Sequence, residues 1–240
     1  LLGQTGKFND EDAVDILLAH PAAPKHLARK LLEEFVHPSP EPALIDALAA
    51  VLTKAQWQMK PVLRTIFTSR VFYSDYAYRS RIKSPADLTI SLALALGGKI
   101  KTEFVRDQMN RMGQSLLFPP NVKGWDGHEV WINSNTYIVR MNYGWSLAQT
   151  RGQDYARRGS LEKLLKEAGV KTAPELVEFL GKLLLDGHVP DATRDELVAY
   201  LNRDDKDKPR PFDNAKQGGG SKLVRSVIRV MTALPEFQLA

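Results

Sequence analysis

The stretch SPADLTISLALALGG, Ser84 to Gly98, decides the fold. A serine stands three positions before an aspartate, the spacing of a capping box, and Pro85 falls where a helix's first turn has no N–H to lose. The apolar run LTISLALAL follows, and a glycine pair stops it. The segment is read as a helix, and one so apolar is expected at the centre of the fold. It is also the longest apolar run in the chain, and it falls short of the roughly 18 residues that a membrane span needs. No transmembrane segment is expected.

Outward from this helix the same grammar repeats. Asn9 or Asp10 can cap a helix through AVDILLAH. Pro24 begins KHLARKLLEEFV, with Leu27, Leu31 and Phe35 on one face at spacing four and charges opposite. Pro42 opens ALIDALAAVL and Pro61 opens VLRTIFTS. Residues 103–112 make a short amphipathic helix ending at Gly113, and Asn133 or Ser134 caps another from about Tyr137 to Ala148. Further helices are expected at Leu161–Ala168, after the boxes Thr172-x-x-Glu175 and Thr193-x-x-Glu196, and in KLVRSVIRVMTALPEF, which Pro235 ends. No run of alternating β-branched residues is long enough for a sheet. The expected fold is therefore all-α, an irregular multi-helix array with one long Trp/Gly/Pro-rich loop. A main unit is expected over 1–150, including the loop at 113–135, and a smaller unit over 151–240. Residues 203–220, rich in charge, proline and glycine, read as a flexible connector. VLRTIFTSRVF and VIRVMTALPEF share an Arg-to-Phe separation of eight, a faint echo that duplication and chance explain equally well.

Composition removes several function classes. With no cysteine there is no disulfide scaffold and no zinc finger. The 33 Lys and Arg exceed the 28 Asp and Glu by a net charge of +5, spread along the chain. Nucleic-acid binding would call for a basic stripe with interleaved aromatics, and the run Arg151 to Arg158 is short, so no nucleic-acid partner is expected. The chain opens LLGQTG, without initiator Met or tripartite signal, and reads as a fragment whose targeting sequence would lie upstream.

The loop FPPNVKGWDGHEVWINSNT, Phe118 to Thr136, concentrates the unusual chemistry. Trp125 and Trp131 could offer stacking faces, while Asp126, His128, Asn133 and Asn135 could hydrogen-bond hydroxyls or hold a cation, as in a glycan-binding cleft. Against this, Pro119-Pro120 stiffens the loop, Gly124 and Gly127 permit positive φ, the tryptophans can pin it by burial, and Asn133 is an ordinary cap. The scaffold reading is preferred; a partner surface on the same loop could coexist with it if Trp125 faces the core while Trp131 and His128 face outward. No HExxH-like convergence suggests a metal, and the histidines at 20, 26, 37 and 188 read as terminal or surface groups. No G-x-S-x-G elbow or cysteine supplies a nucleophile, and GQTGKF lacks the spacing of a phosphate loop. No catalytic residue, metal or cofactor is assigned. Phe72 and Tyr76, amid Tyr73, Tyr78, Arg79 and Arg81, are read as a plug into the core, with base or glycan stacking as the alternative.

GQTGKFNDEDAVDILLAHPAAPKHLARKL, TSRVFYS, KSPADL, FPPNVKGWDGHEVWINSNT and LPEFQLA, in that order, resemble the bacterial family catalogued as domain of unknown function 1800. The PPNVKGW and WIN elements are the most specific, and the likeness runs over nearly the whole chain. It implies an exported protein, periplasmic or secreted, often encoded beside a second exported protein with a sulfatase- or phosphatase-like look. It brings no established catalytic residues. The expected function is an interaction or scaffold module whose partner is that co-encoded protein. The alternative is a glycan-active or hydrolytic enzyme whose catalytic residues lie mainly outside this chain.

Overall fold

Asn9, Ser84, Asn133 and Thr172 each set a helix start, paired with an acidic or hydroxyl residue three positions on. In this computed structural model, which describes residues 1–96, 101–148, 160–204, 206–214 and 222–240, Asn9 and Asp12 form such a box at α1 (Asp10–Ala19). α2 (Ala23–Phe35), α3 (Pro42–Lys54) and α4 (Met59–Phe67) follow. Ser84 and Asp87 box the start of α5 (Pro85–Ala95), and α6 (Thr102–Arg111) and α7 (Ser134–Leu147) flank the loop. α8 (Ser160–Glu167), α9 (Ala173–Leu185), α10 (Asp191–Leu201), α11 (Lys222–Ala233) and α12 (Pro235–Gln238) complete the chain. Only isolated bridges, Ile82 with Leu239 and Arg203 with Pro209, interrupt the helices among the described residues. The fold is all-α.

Two compact units divide between Arg81 and Ile82. The expected division near residue 150 differs because Val139, Tyr143 and Leu147 of α7 share one core with Leu176 and Leu180 of α9 and Val227 and Ile228 of α11. A cut at 150 would run through that core.

The first unit packs Ala28, Leu32 and Val36 against Ile45, Leu48 and Leu52 of α3 and Val62 and Ile66 of α4. The buried stripe of α2 is thus offset by one position from the Leu27–Leu31–Phe35 line. Leu27 and Leu31 flank it, and Phe35 lies at its margin, 38% exposed, with its ring edge-on to Phe67 at 5.1 Å. Phe72 and Tyr76 pack on this core as expected, the latter stacked on His37 at 4.3 Å with its hydroxyl donating to Ser39 O.

In the second unit α7 is the hub. Tyr143 is fully buried and donates to Thr89 O at 2.8 Å, and burial pushes its phenol pKa up. Arg140, 1% exposed, donates to Gln238 Oε1 at 3.1 Å and to Lys83 O at 2.9 Å. Burial brings its pKa down to about 10. Lys83 N in turn donates to Gln238 O, and Gln238 Nε2 to Thr232 O, so a buried polar knot ties residue 83, α7, α11 and α12 together.

Four local expectations change. α5 is not central: Ile90 and Leu94 point to solvent, Leu94 being 76% exposed, because one side alone, with Leu88, Thr89, Leu92 and Leu96, faces the core. Thr193 lies inside α10, which starts at Asp191 and is steadied by an Arg194–Asp191 ion pair of 2.8 Å. Residues 206–214 are no mere connector, since Phe212 enters the core, its N–H bonded to Asn202 Oδ1, and Asn214 Nδ2 donates to Val170 O. Pro235 does not end the last helix but opens α12. The glycine pair at 97–98, the basic run at 151–158 and the glycines at 218–220 lie outside the described residues.

Candidate interaction site

The loop between α6 and α7 begins where Gly113 takes φ +92°, a value a side chain would resist. The next residue, Gln114, anchors it: its N–H donates to Met109 O and its Oε1 accepts from Ala86 N at 2.8 Å, at the start of α5. The chain then turns outward. Leu117, at φ +65°, is 91% exposed and Phe118 80% exposed, with Leu116 beside them. A non-glycine residue held at positive φ at a loop tip marks a conformation imposed by its surroundings.

From Asn121 onward the loop bonds mainly to itself. Asn121 Oδ1 accepts from Lys123 N, and Gly124, at φ +96°, donates to Asn121 O. Lys123 Nζ lies 2.6 Å from Asp126 Oδ1, and that hydrogen bond and charge raise the lysine's pKa. Gly127 at φ +76° leads into a 3-10 turn, His128–Trp131. Trp131 is buried, and its carbonyl accepts from Thr136 Oγ1 at 3.0 Å. Asn133 Oδ1 accepts from both Asn135 N and Thr136 N as the cap of α7.

This geometry answers the sequence's two readings residue by residue. Asn133 and Asp126 have their side chains committed within the loop, to the cap and to Lys123. Trp131 is buried, and Trp125 and His128 are half-buried. Trp131 is thus the more buried of the two tryptophans, the opposite of the arrangement in which one loop would serve both as scaffold and as partner surface. With one ring buried, the two tryptophans do not present the paired faces of a sugar cleft.

The loop's outer shoulder was missed in sequence. Leu116 and Phe118, with Ile90 and Leu94 of α5 and Val105 and Met109 of α6, line a groove of about 820 Å³. Thr102, Glu103, Arg106 and Asn110 give it a polar rim. Arg106 pairs with Asp107 at 2.9 Å and Lys123 with Asp126, so the surroundings are close to charge-neutral. The available signal was the apolar run Leu116-Leu117-Phe118 in a segment otherwise rich in turn residues.

Among the described residues no three His, Cys, Asp or Glu side chains converge to hold a metal ion, and no helix is long and apolar enough to cross a membrane. What the fold and the shoulder define is an all-α protein with an exposed apolar groove. The chain belongs to the family described as protein of unknown function (DUF1800), whose match extends over residues 1–239. No curated protein and no solved structure matches it.

Proposed function

We propose that this chain is the interaction module of an exported bacterial envelope protein and that it docks a partner protein through the groove between α5, α6 and the Leu116–Phe118 shoulder. The observation that carries this reading is the side-by-side exposure of Leu94, Leu117 and Phe118 around a concave apolar floor. Contiguous exposed apolar surface with a polar rim is the anatomy of a protein-binding patch, not of an ordinary monomer surface. A groove between two helices suits the apolar stripe of a partner helix. The WDGHEVWIN segment serves as scaffold beneath it: Trp131 and the Asn133 cap hold the loop's far end, and Gln114 holds its near end.

The partner that the family resemblance suggests is the second exported protein encoded alongside. Co-expression and pull-down test this. The wild-type chain should co-purify with that partner, and a Leu117→Ser/Phe118→Ser variant should keep its melting temperature and lose the complex. If the wild-type proteins do not associate at micromolar concentration, or the variant binds as well as wild type, the reading is wrong.

A further inference from the structure

Between α2, α3 and α4 the first unit leaves a hollow of about 170 Å³. Leu32, Val36, Leu48 and Ile66 form its buried floor. Two hydroxyls reach it, and both are spent on backbone: Thr65 Oγ1 donates to Pro61 O and Ser69 Oγ to Ile66 O. The side chains of the lining therefore offer a ligand apolar contact alone, and an apolar cavity of about 150 Å³ holds benzene or xenon.

Ser69 and Val71 also line a second, more open depression on the turn that follows α4. Its other small hydroxyls are committed as well, Thr68 Oγ1 to Arg64 O and Ser74 Oγ to Val71 O. Thr68 and Ser69 thereby satisfy the end of α4 without Arg70. Two side-chain groups of the depression remain available, because the Arg70 guanidinium and the Tyr73 hydroxyl have no hydrogen-bond or ion-pair partner among the described residues. Arg70 is exposed, and Tyr73 is 76% exposed with its ring edge-on to Phe72. No carboxylate of the surrounding elements offsets this cation. Glu33, Glu34 and Asp46 pair with Lys30, Arg81 and Lys25, while Glu41, Asp75 and the acids of α1 line neither hollow.

We propose that the two hollows together bind a small carboxylic acid with an apolar body of about six carbons, the body in the α2–α4 hollow and the carboxylate on Arg70 and Tyr73. The planar guanidinium fork suits a carboxylate, and the phenol hydroxyl adds a donor. A peptide fits less well, since its backbone would need a strand edge to pair with and the described residues of this unit have none. The site belongs wholly to the first unit and is independent of the groove proposed above.

The test is a ligand-observed NMR titration of hexanoate with the whole chain, repeated with hexanol as the neutral counterpart. Wild type should bind hexanoate at millimolar concentration and prefer it to hexanol. Arg70→Gln changes an exposed side chain and should leave the thermal melt in place. It should weaken hexanoate about tenfold, as loss of a hydrogen bond to a charged group does, and erase the preference over hexanol. Val51→Phe, which places a ring in the hollow, should lose both ligands. Absence of wild-type binding, unchanged hexanoate affinity in Arg70→Gln, or tighter binding of an acetylated tripeptide ending in leucine would each overturn the proposal.

Discussion

Trp131 and Trp125 sit six positions apart in one loop, yet one is buried and the other half-exposed. Removing a buried aromatic costs about 3 to 5 kcal/mol, so Trp131→Ala should unfold at clearly lower denaturant than wild type. Trp125→Ala should shift the midpoint much less, and a larger loss from Trp125 would contradict the assignment. Asn133 was readable as a cap because a cap is a local bargain between one side chain and two backbone N–H groups. The burial of Trp131 was not, since which loop side chain is buried is decided by tertiary packing that no local spacing records. Arg140 was still less readable: nothing in NTYIVRMNYGW marks an arginine whose partners are residues 83 and 238. Arg140→Ala should destabilise by about 2 to 5 kcal/mol, since it empties a buried volume and leaves Gln238 Oε1 and Lys83 O without their donor. Arg140→Met, which refills much of the volume without burying a cation, should cost less in the same denaturation series.

Helix starts were the most legible elements, and α9 shows why. Its cap residue Thr172 and the preceding Lys171 both donate backbone N–H groups to Glu175 Oε2, at 3.0 and 2.7 Å. These bonds favour the ionised carboxylate and hold its pKa below the ordinary 4.5. The stabilisation is therefore complete above that ordinary value and is lost as pH falls through the depressed one. Thermal melts of wild type and Glu175→Gln should differ at neutral pH and converge as the solution is acidified; a gap that widens toward acid would contradict the bonding. Where sequence misled, a pattern lacked its tertiary partner. Thr193-x-x-Glu196 has the letters of a box, but α10 had already begun at Asp191. LTISLALAL was too uniformly apolar to say which side of α5 faces the core, and the side left over, Ile90 and Leu94, became the groove.

The whole molecule divides at Arg81/Ile82, where neither composition nor a glycine-rich linker announces a boundary. The all-α class followed from caps and leucine spacing that recur through the chain, whereas unit membership is set by long-range contacts such as those joining Tyr143 and Leu176 in one core. Residues 82–240 expressed alone should melt cooperatively, while a chain cut after residue 150 should expose Val139, Tyr143 and Leu147 and lose that transition. The central claim is that the shoulder between α6 and α7 is a docking surface carried on a self-bonded scaffold. Hydrogen–deuterium exchange of the chain with and without the exported protein proposed as its partner reads that surface without any substitution. The account predicts new protection in peptides covering residues 102–122, with little change over the already bonded 131–136 segment. Protection elsewhere, with 102–122 exchanging as in the free chain, would contradict it.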